Sequence, residues 1–304
     1  MNYAIVTENL SKKYGNNLAV NSVYMNVPEG SVYGFVGENG SGKTTIMRLL
    51  MGLARPTAGD YSLKGINRKD KRIYKVRNHI SAIIEAPSLV PTMTAKENLL
   101  YACYYYGVKD TSIIDGILKE VDLADTGKKK VKNFSLGMRQ RLGIGVLLLN
   151  DPQIMLLDEP MNGLDPAGIA DLRNLIINLN KKGITFMISS HILSELEKVA
   201  TYYGFISKGK LIKEISAEDL AKDFQKSIDL RYSDLAKLEA ALAKAGLKDF
   251  VKYPAFVRVF DEIKPLELLK KLEKEGIEIT DIRSHEIDVE DYYLSLIRED
   301  EKHE

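Results

Sequence analysis

The run Gly37-Glu38-Asn39-Gly40-Ser41-Gly42-Lys43-Thr44 sets glycines, one lysine and one threonine at the spacing of a phosphate-binding loop. Glycines let the backbone curl so that successive N–H groups point at phosphate oxygens, and a following helix N-terminus adds positive potential. In such a loop Gly37, Asn39, Gly40, Ser41, Gly42 and Thr45 surround the phosphates of a nucleoside triphosphate. Lys43 reaches its β- and γ-phosphates, and the Thr44 hydroxyl is a magnesium ligand. A second group closes Ile154-Met155-Leu156-Leu157-Asp158-Glu159, which reads as a buried strand ending in two carboxylates. Asp158, at the strand's carboxyl end, can hold the water shell of a magnesium ion. Glu159, one residue on, points elsewhere and can polarise an attacking water. A third group begins at Ser135, where a helical apolar run to Leu149 starts, so its hydroxyl and the nearby N–H groups form a second anion site. One chain has little use for two γ-phosphate sites so far apart. They make sense where two chains face each other.

The elements around these residues must hold them. Residues 31–36 form a short apolar, aromatic-rich run expected to be a buried strand, and residues 45–51 carry apolar side chains at helical spacing up to Gly52. Strand before and helix after is the setting a phosphate loop needs. To about Lys213 strands and helices alternate, which predicts an α/β domain over residues 1–213 with a largely parallel sheet. A helical subdomain is expected over about residues 86–150. Within it residues 94–131 read as an insert whose first helix, residues 95–106, is opened by a Thr94/Glu97 capping box. Residues 112–123 form its second helical stretch.

Residues 214–304 change character. Strands are expected at 228–232, 250–253, 255–260 and 277–282, with amphipathic helices at 234–245 and 265–275 stopped by Gly246 and Gly276. The order βαββαβ is that of a small α+β module of the ferredoxin-like kind, followed by a helix at 289–297. No catalytic constellation occurs in this tail, and His285 reads as a surface residue. The tail suits dimer contact, regulation or docking.

The chain has 304 residues, enough for one large and one small domain, and 43 Lys+Arg against 42 Asp+Glu. A net charge of +1 argues against a global attraction to nucleic acid or anionic lipid. The basic run Lys128-Lys129-Lys130 reads as a solvated loop. Cys103, the single cysteine, cannot form an internal disulfide, which fits a reducing compartment and a buried small residue. The first residues lack a signal-peptide pattern, and no window reaches the roughly 18 apolar residues of a spanning helix. A cytoplasmic protein is expected, with any membrane role coming through a partner.

Over residues 1–213 the chain resembles the nucleotide-binding subunit of an ATP-binding cassette (ABC) transporter, of the P-loop NTPase fold. Ser135 and Gly137 match the family's Leu-Ser-Gly-Gly-Gln signature, which Leu136 and Met138 depart from. Asn162-Gly163-Leu164-Asp165 matches the D-loop, so the resemblance places Asp165 against an opposite subunit. His191 matches the switch histidine, which would sense the γ-phosphate. Tyr14 stands where the family stacks an aromatic ring on adenine. Glu85, in Ser81-Ala82-Ile83-Ile84-Glu85-Ala86-Pro87-Ser88, takes the place of the Q-loop glutamine, which contacts magnesium and the attacking water and relays to the membrane subunit. A carboxylate there keeps the oxygen ligand but adds charge and loses the NH₂ donor. This substitution resembles the bacitracin and lantibiotic self-protection branch, and the accessory tail fits that branch too.

The resemblance implies an ATPase using ATP and Mg²⁺, with Glu159, His191 and Glu85 catalytic and Thr44, Glu85 and Asp158 around the metal. It implies a head-to-tail dimer of ATP-binding subunits, for which a homodimer suffices. It further implies permease subunits in the membrane, attachment to that membrane's inner face, and export of a peptide antibiotic. The alternatives are another cargo or a non-transport ABC protein acting on ribosomes or DNA. Against the latter stand one cassette, no heptad insertion and balanced charge.

Overall fold

The computed structural model describes residues 2–303 apart from 192, 224–225, 233–234, 254, 262, 276, 278 and 287–288. Asp234 and Gly276, expected start and stop signals of tail helices, fall among those exceptions, and the His285 side chain is likewise outside the described residues. Contacts divide the chain into two compact units, Met1–Ala217 with Leu296–Glu304, and Glu218–Ser295.

The first unit opens with long strands β1 (Tyr3–Tyr14) and β2 (Asn17–Pro28), then β3 (Val32–Val36) and α1 (Lys43–Leu50). Next come β4 (Ala58–Leu63), β5 (Ile66–Asn67), α2 (Ile73–Arg77) and β6 (Ile80–Ile83). The helical insert contributes α3 (Ala95–Tyr106), α4 (Ile113–Glu120) and α5 (Leu136–Leu148). The chain then returns through β7 (Ile154–Asp158), α6 (Pro166–Lys181), β8 (Thr185–Ser190), α7 (Leu193–Leu196), β9 (Tyr202–Ser207) and β10 (Lys210–Ser216).

These strands make two sheets. One is antiparallel, in the order β2-β1-β4-β5; the other has the order β10-β9-β3-β8-β7-β6. In the second sheet β9, β3, β8, β7 and β6 are mutually parallel, and only β10 runs antiparallel on β9. The central strands β3, β7 and β8 are buried at every position, which explains their continuous apolar sequences rather than an alternating pattern. Tyr33, Phe35, Ile46, Met47, Ile154, Leu156 and Met187 pack with residues of β1 and β2 in one core, so the two sheets and α1 share a single interior. Burying each large apolar side chain there stabilises the fold by roughly 1.5–3 kcal/mol.

The expected boundary after residue 213 falls inside β10, whose ladder with β9 continues to Ser216 opposite Tyr202. An edge strand gains nothing by stopping where its composition changes, because its backbone N–H and C=O groups still find partners. The parallel sheet was expected from the pattern; the separate antiparallel sheet built from β1, β2, β4 and β5 was not. In the insert, Thr94 Oγ1 accepts from the N–H of Glu97 at 3.2 Å and Glu97 Oε2 accepts from the N–H of Thr94 at 2.6 Å, the reciprocal capping box. Cys103 is buried and free.

The second unit carries β11 (Lys226–Tyr232), α9 (Leu235–Lys244), β12 (Phe250–Lys252), β13 (Val257–Val259), α10 (Pro265–Lys274) and β14 (Ile279–Glu286). It is preceded by α8 (Ala217–Asp223) and followed by α11 (Val289–His303). Its sheet order is β12-β13-β11-β14, antiparallel throughout, the arrangement of a split βαββαβ module. Leu230, Leu238, Leu242, Val257, Leu268 and Leu272 form its own core. Among the described residues no helix is long and apolar enough to cross a membrane.

Candidate active site

The register of the parallel sheet brings the chemistry together. Val36 pairs with Ser190 across β3 and β8, and Asp158 pairs with Ser189 across β7 and β8. The phosphate loop, both carboxylates and His191 therefore all emerge at the carboxyl ends of three adjacent strands, where open α/β sheets bind their ligands. A cavity of about 150 Å³ lies there, lined by Asn39, Gly40, Gly42, Lys43, Thr44, Thr45, Asp158 and Glu159, with Ala19 on its wall.

Local sequence explains the loop. Gly42 caps α1 at φ 109, and a Cβ there would lie 2.5 Å from the carbonyl oxygen of Ala19, so only glycine fits. A Cβ on Gly37 would meet the carbonyl oxygen of Ile206 at the same distance. The Ser41 hydroxyl is buried and has no hydrogen-bond partner among the described residues, which leaves a donor for a ligand at this loop. Lys43 is 5% exposed and donates to the carbonyls of Gly37 at 2.5 Å and Glu38 at 3.0 Å. Burial lowers its pKa, and the carboxylates of Glu159 and Asp158 oppose that shift.

Thr44 Oγ1 donates to Asp158 Oδ2 at 2.6 Å, so two hard oxygen donors meet at the loop. They fit magnesium, which takes one or two protein oxygens and completes its shell with phosphate and water. Among the described residues no three His, Cys, Asp or Glu side chains cluster as a self-sufficient metal site. The other oxygen of Asp158 accepts from Ser189 Oγ at 2.5 Å, and that same hydroxyl accepts from the N–H of Glu159 at 2.9 Å. Ser189 thus ties the Asp158 carboxylate to the backbone of Glu159. Sequence reading missed it; the available signal was a hydroxyl directly after the apolar run Phe186-Met187-Ile188, and it is fully buried.

Glu159 stands at φ 48 just beyond β7, a conformation that turns its side chain away from that of Asp158. Its Oε2 lies 2.7 Å from Nδ1 of His191 and its Oε1 lies 3.6 Å from Nζ of Lys43. A carboxylate so placed beside the γ-phosphate end of the loop can accept the proton of an attacking water, with the imidazole orienting it.

Other expected residues are not gathered in this cavity. Ser135 caps α5 by accepting from the N–H of Met138 at 3.2 Å, and Asp165 caps α6 by accepting from the N–H of Gly168 at 2.9 Å. The two helix starts lie close together: a Cβ on Gly137 would sit in van der Waals contact with Cα of Gly168 at 3.4 Å. Helix N-termini favour anions, and none of Ser135, Gly137 or Asp165 lines the Lys43 cavity. Tyr14 ends β1 half-exposed, with Lys12 Nζ 4.7 Å from its ring centroid, and it too lies outside the lining.

Glu85 lies outside the Lys43 cavity. Its carboxylate accepts from the guanidinium of Arg48 in the last turn of α1, its side chain is 70% exposed, and it is absent from the cavity that holds Thr44 and Asp158. In this conformation the partner of the Glu85 carboxylate is Arg48. Arg48 was not singled out by sequence reading, and nothing in its spacing from Glu85 signalled the pairing.

The sequence profile described as "ABC transporter" matches residues 20–162. The chain is 40% identical over 302 residues to the bacitracin transport ATP-binding protein BcrA of Bacillus licheniformis, covering 98% of both chains. It is 45% identical over 209 residues to the lantibiotic transport ATP-binding protein SrtF of Streptococcus pyogenes, covering 68% of this chain and 88% of that one. Among solved structures it resembles the dimeric bacterial ABC transporter cassette MJ0796 at TM-score 0.62 and 25% identity, over 70% of this chain and 98% of that one. The phosphate loop, the paired carboxylates beside it and a match over 98% of the chain agree: the chain belongs to the ABC transporter family and is one of its ATP-binding, ATP-hydrolysing subunits.

Proposed function

We propose that this ATPase powers a separate membrane permease that exports a peptide antibiotic of the bacitracin or lantibiotic type. The observation that carries the cargo is coverage. The match to the bacitracin transport protein runs through 98% of this chain, tail module included, whereas the match to the lantibiotic protein covers 68%. Within that pair the bacitracin type is favoured.

Two copies would face each other head to tail. ATP would be bound by Lys43 and Thr44 of one copy and capped by Ser135 and Gly137 of the other, with Asp165 at the contact and Tyr14 against the adenine. The support is geometric: the Ser135 helix start presents an anion site that its own cavity does not use. Magnesium would be held by Thr44 and Asp158, where it neutralises charge on the phosphates. Glu159 would take the proton of the attacking water, and His191 would hold Glu159 and sense the γ-phosphate. The segment around Glu85 and the insert would transmit closure to the permease, keeping the subunit on the inner face of the membrane. Ala86, Pro87 and Leu89 line a groove of about 290 Å³ with Met51, Leu53 and Tyr106, suited to an apolar element of such a partner.

The test is protection. The chain, expressed with the permease encoded beside it in a sensitive bacterium, is expected to raise resistance to bacitracin, and Glu159→Gln is expected to abolish that gain. Active ATP hydrolysis without protection against bacitracin or any lantibiotic would overturn the cargo while leaving the ATPase intact.

A further inference from the structure

A larger cleft, about 550 Å³, lies between the insert and the core of the nucleotide-binding unit and shares no lining residue with the Lys43 cavity or the Ala86 groove. One wall is α4, with Ile113 and Ile117 one helical turn apart; the other comprises Leu148, Leu179 and Ile184. Its volume is that of a drug-sized ligand site, which combines apolar walls with a few polar groups. Ile113 is 38% exposed, an apolar surface left uncovered there.

Two further observations point to an occupant. Gly116 lies in the middle of α4 and lines the cleft, yet a Cβ added to it would meet nothing within 4 Å. A mid-helix glycine is unfavourable relative to alanine, and packing gives no reason for this one. By contrast Gly145, on α5, is closely packed: its Cβ would lie 3.3 Å from Ile117. The absent side chain at 116 keeps the cleft wall open. At the rim, Lys182 and Glu120 satisfy each other at 2.5 Å, whereas the side chain of Asp151 has no hydrogen bond or ion pair among the described residues. Among the described charged residues that line the cleft, Asp151 is the one left without a partner, and its charge is negative.

We propose that this cleft binds a small amphiphilic amine, its apolar body between Ile117 and Leu179 and its ammonium group at Asp151. The apolar walls supply the greater part of the affinity, and the carboxylate selects a cation over a neutral analogue.

The probe is dansylcadaverine, whose fluorescence rises on burial and whose terminal amine is protonated at neutral pH; its N-acetyl derivative is the neutral control. Titrated into the full chain, the amine is expected to bind one-to-one and at least fivefold more tightly than the acetylated compound. Asp151→Asn should erase that preference. Gly116→Leu, which fills the cleft from an exposed helix position, should weaken both probes at least tenfold. Basal ATP hydrolysis should persist in both variants, showing that the chain is folded. No binding at millimolar probe, equal affinity for the two compounds, or binding indifferent to Gly116→Leu would each overturn the proposal.

Discussion

Glu159 Oε2 sits 2.7 Å from His191 Nδ1 while the other carboxylate oxygen faces Lys43 Nζ at 3.6 Å. One carboxylate thus joins the residue after β8 to the residue that opens α1. His191 also donates its backbone N–H to Glu159 Oε2 at 3.3 Å, so the contact is set by main chain as well as side chain. Lys43 and Glu159 are each other's neighbours through a separation at which a phosphate oxygen would compete for the lysine. Nucleotide arrival therefore alters the environment of the base and of the cation together.

Glu159→Gln keeps the shape and removes the proton acceptor. We predict that ATP turnover falls at least ~100-fold, the usual contribution of a positioned general base. ATP affinity should change by less than about threefold, since the phosphate contacts of Lys43 and Thr44 remain. Single-turnover hydrolysis alongside equilibrium nucleotide binding checks both halves; a variant that turns over within tenfold of the parent would remove Glu159 from the base role.

Lys43 gives a pH prediction with a definite sign. Burial lowers its pKa in the free protein, and the negative phosphates of a bound nucleotide favour the charged form and raise it again. Binding then takes up a proton at any pH between the lowered value and the raised one. ATP affinity should accordingly fall as pH rises through that alkaline window, by up to about tenfold per pH unit for one proton. Calorimetric titrations in two buffers of different ionisation enthalpy would measure the uptake, and equal heats in both would contradict it.

Two helical glycines should respond to alanine with opposite signs. A Cβ at Gly143 would lie 2.5 Å from Cβ of Pro87 and 3.1 Å from Ile83 Cδ1, so Gly143→Ala must push α5 from the segment that follows Glu85. Overpacking of that kind costs about 1–3 kcal/mol and outweighs the roughly 1 kcal/mol that alanine adds to a helix. Gly116 meets nothing, so Gly116→Ala should gain about 0.5–1 kcal/mol. Denaturant midpoints of the two variants settle the comparison.

What the sequence revealed and what it hid follow from range. The phosphate loop, the capping box at Thr94 and the N-caps at Ser135 and Asp165 are set by residues within a few positions, so local pattern suffices. The run from Ile154 to Asp158 reads as buried because both faces of a parallel strand are covered. Ser189 was hidden because its role depends on β7 and β8 being neighbours, a pairing between residues 31 positions apart. The antiparallel sheet was hidden for the same reason: β4 joins β1 across more than 40 residues. Glu85 was read by its place in a motif, but its partner in this conformation is chosen by the far end of α1.

That pairing gives the last prediction. Arg48 lies on the same helix as Thr44, one turn further from the phosphate loop, and its guanidinium pairs with the Glu85 carboxylate while Thr44 pairs with Asp158. Both side chains are largely exposed, at 43% and 70%, so solvent screens the pair and its worth is about 0.2–1 kcal/mol. A weak tie can still decide between two partners of one carboxylate. If Glu85 serves magnesium once nucleotide is bound, Arg48→Ala frees it and should tighten the magnesium dependence of ATP binding by about 1.4- to 5-fold, the equivalent of that energy. Glu85→Gln alone should weaken the dependence, and Arg48→Ala should have no effect in the Glu85→Gln background. Measuring magnesium-dependent ATP affinity across the four proteins of this cycle isolates the coupling. Additive effects would show that Arg48 and Glu85 act separately, and the carboxylate would then owe nothing to the helix that carries the phosphate loop.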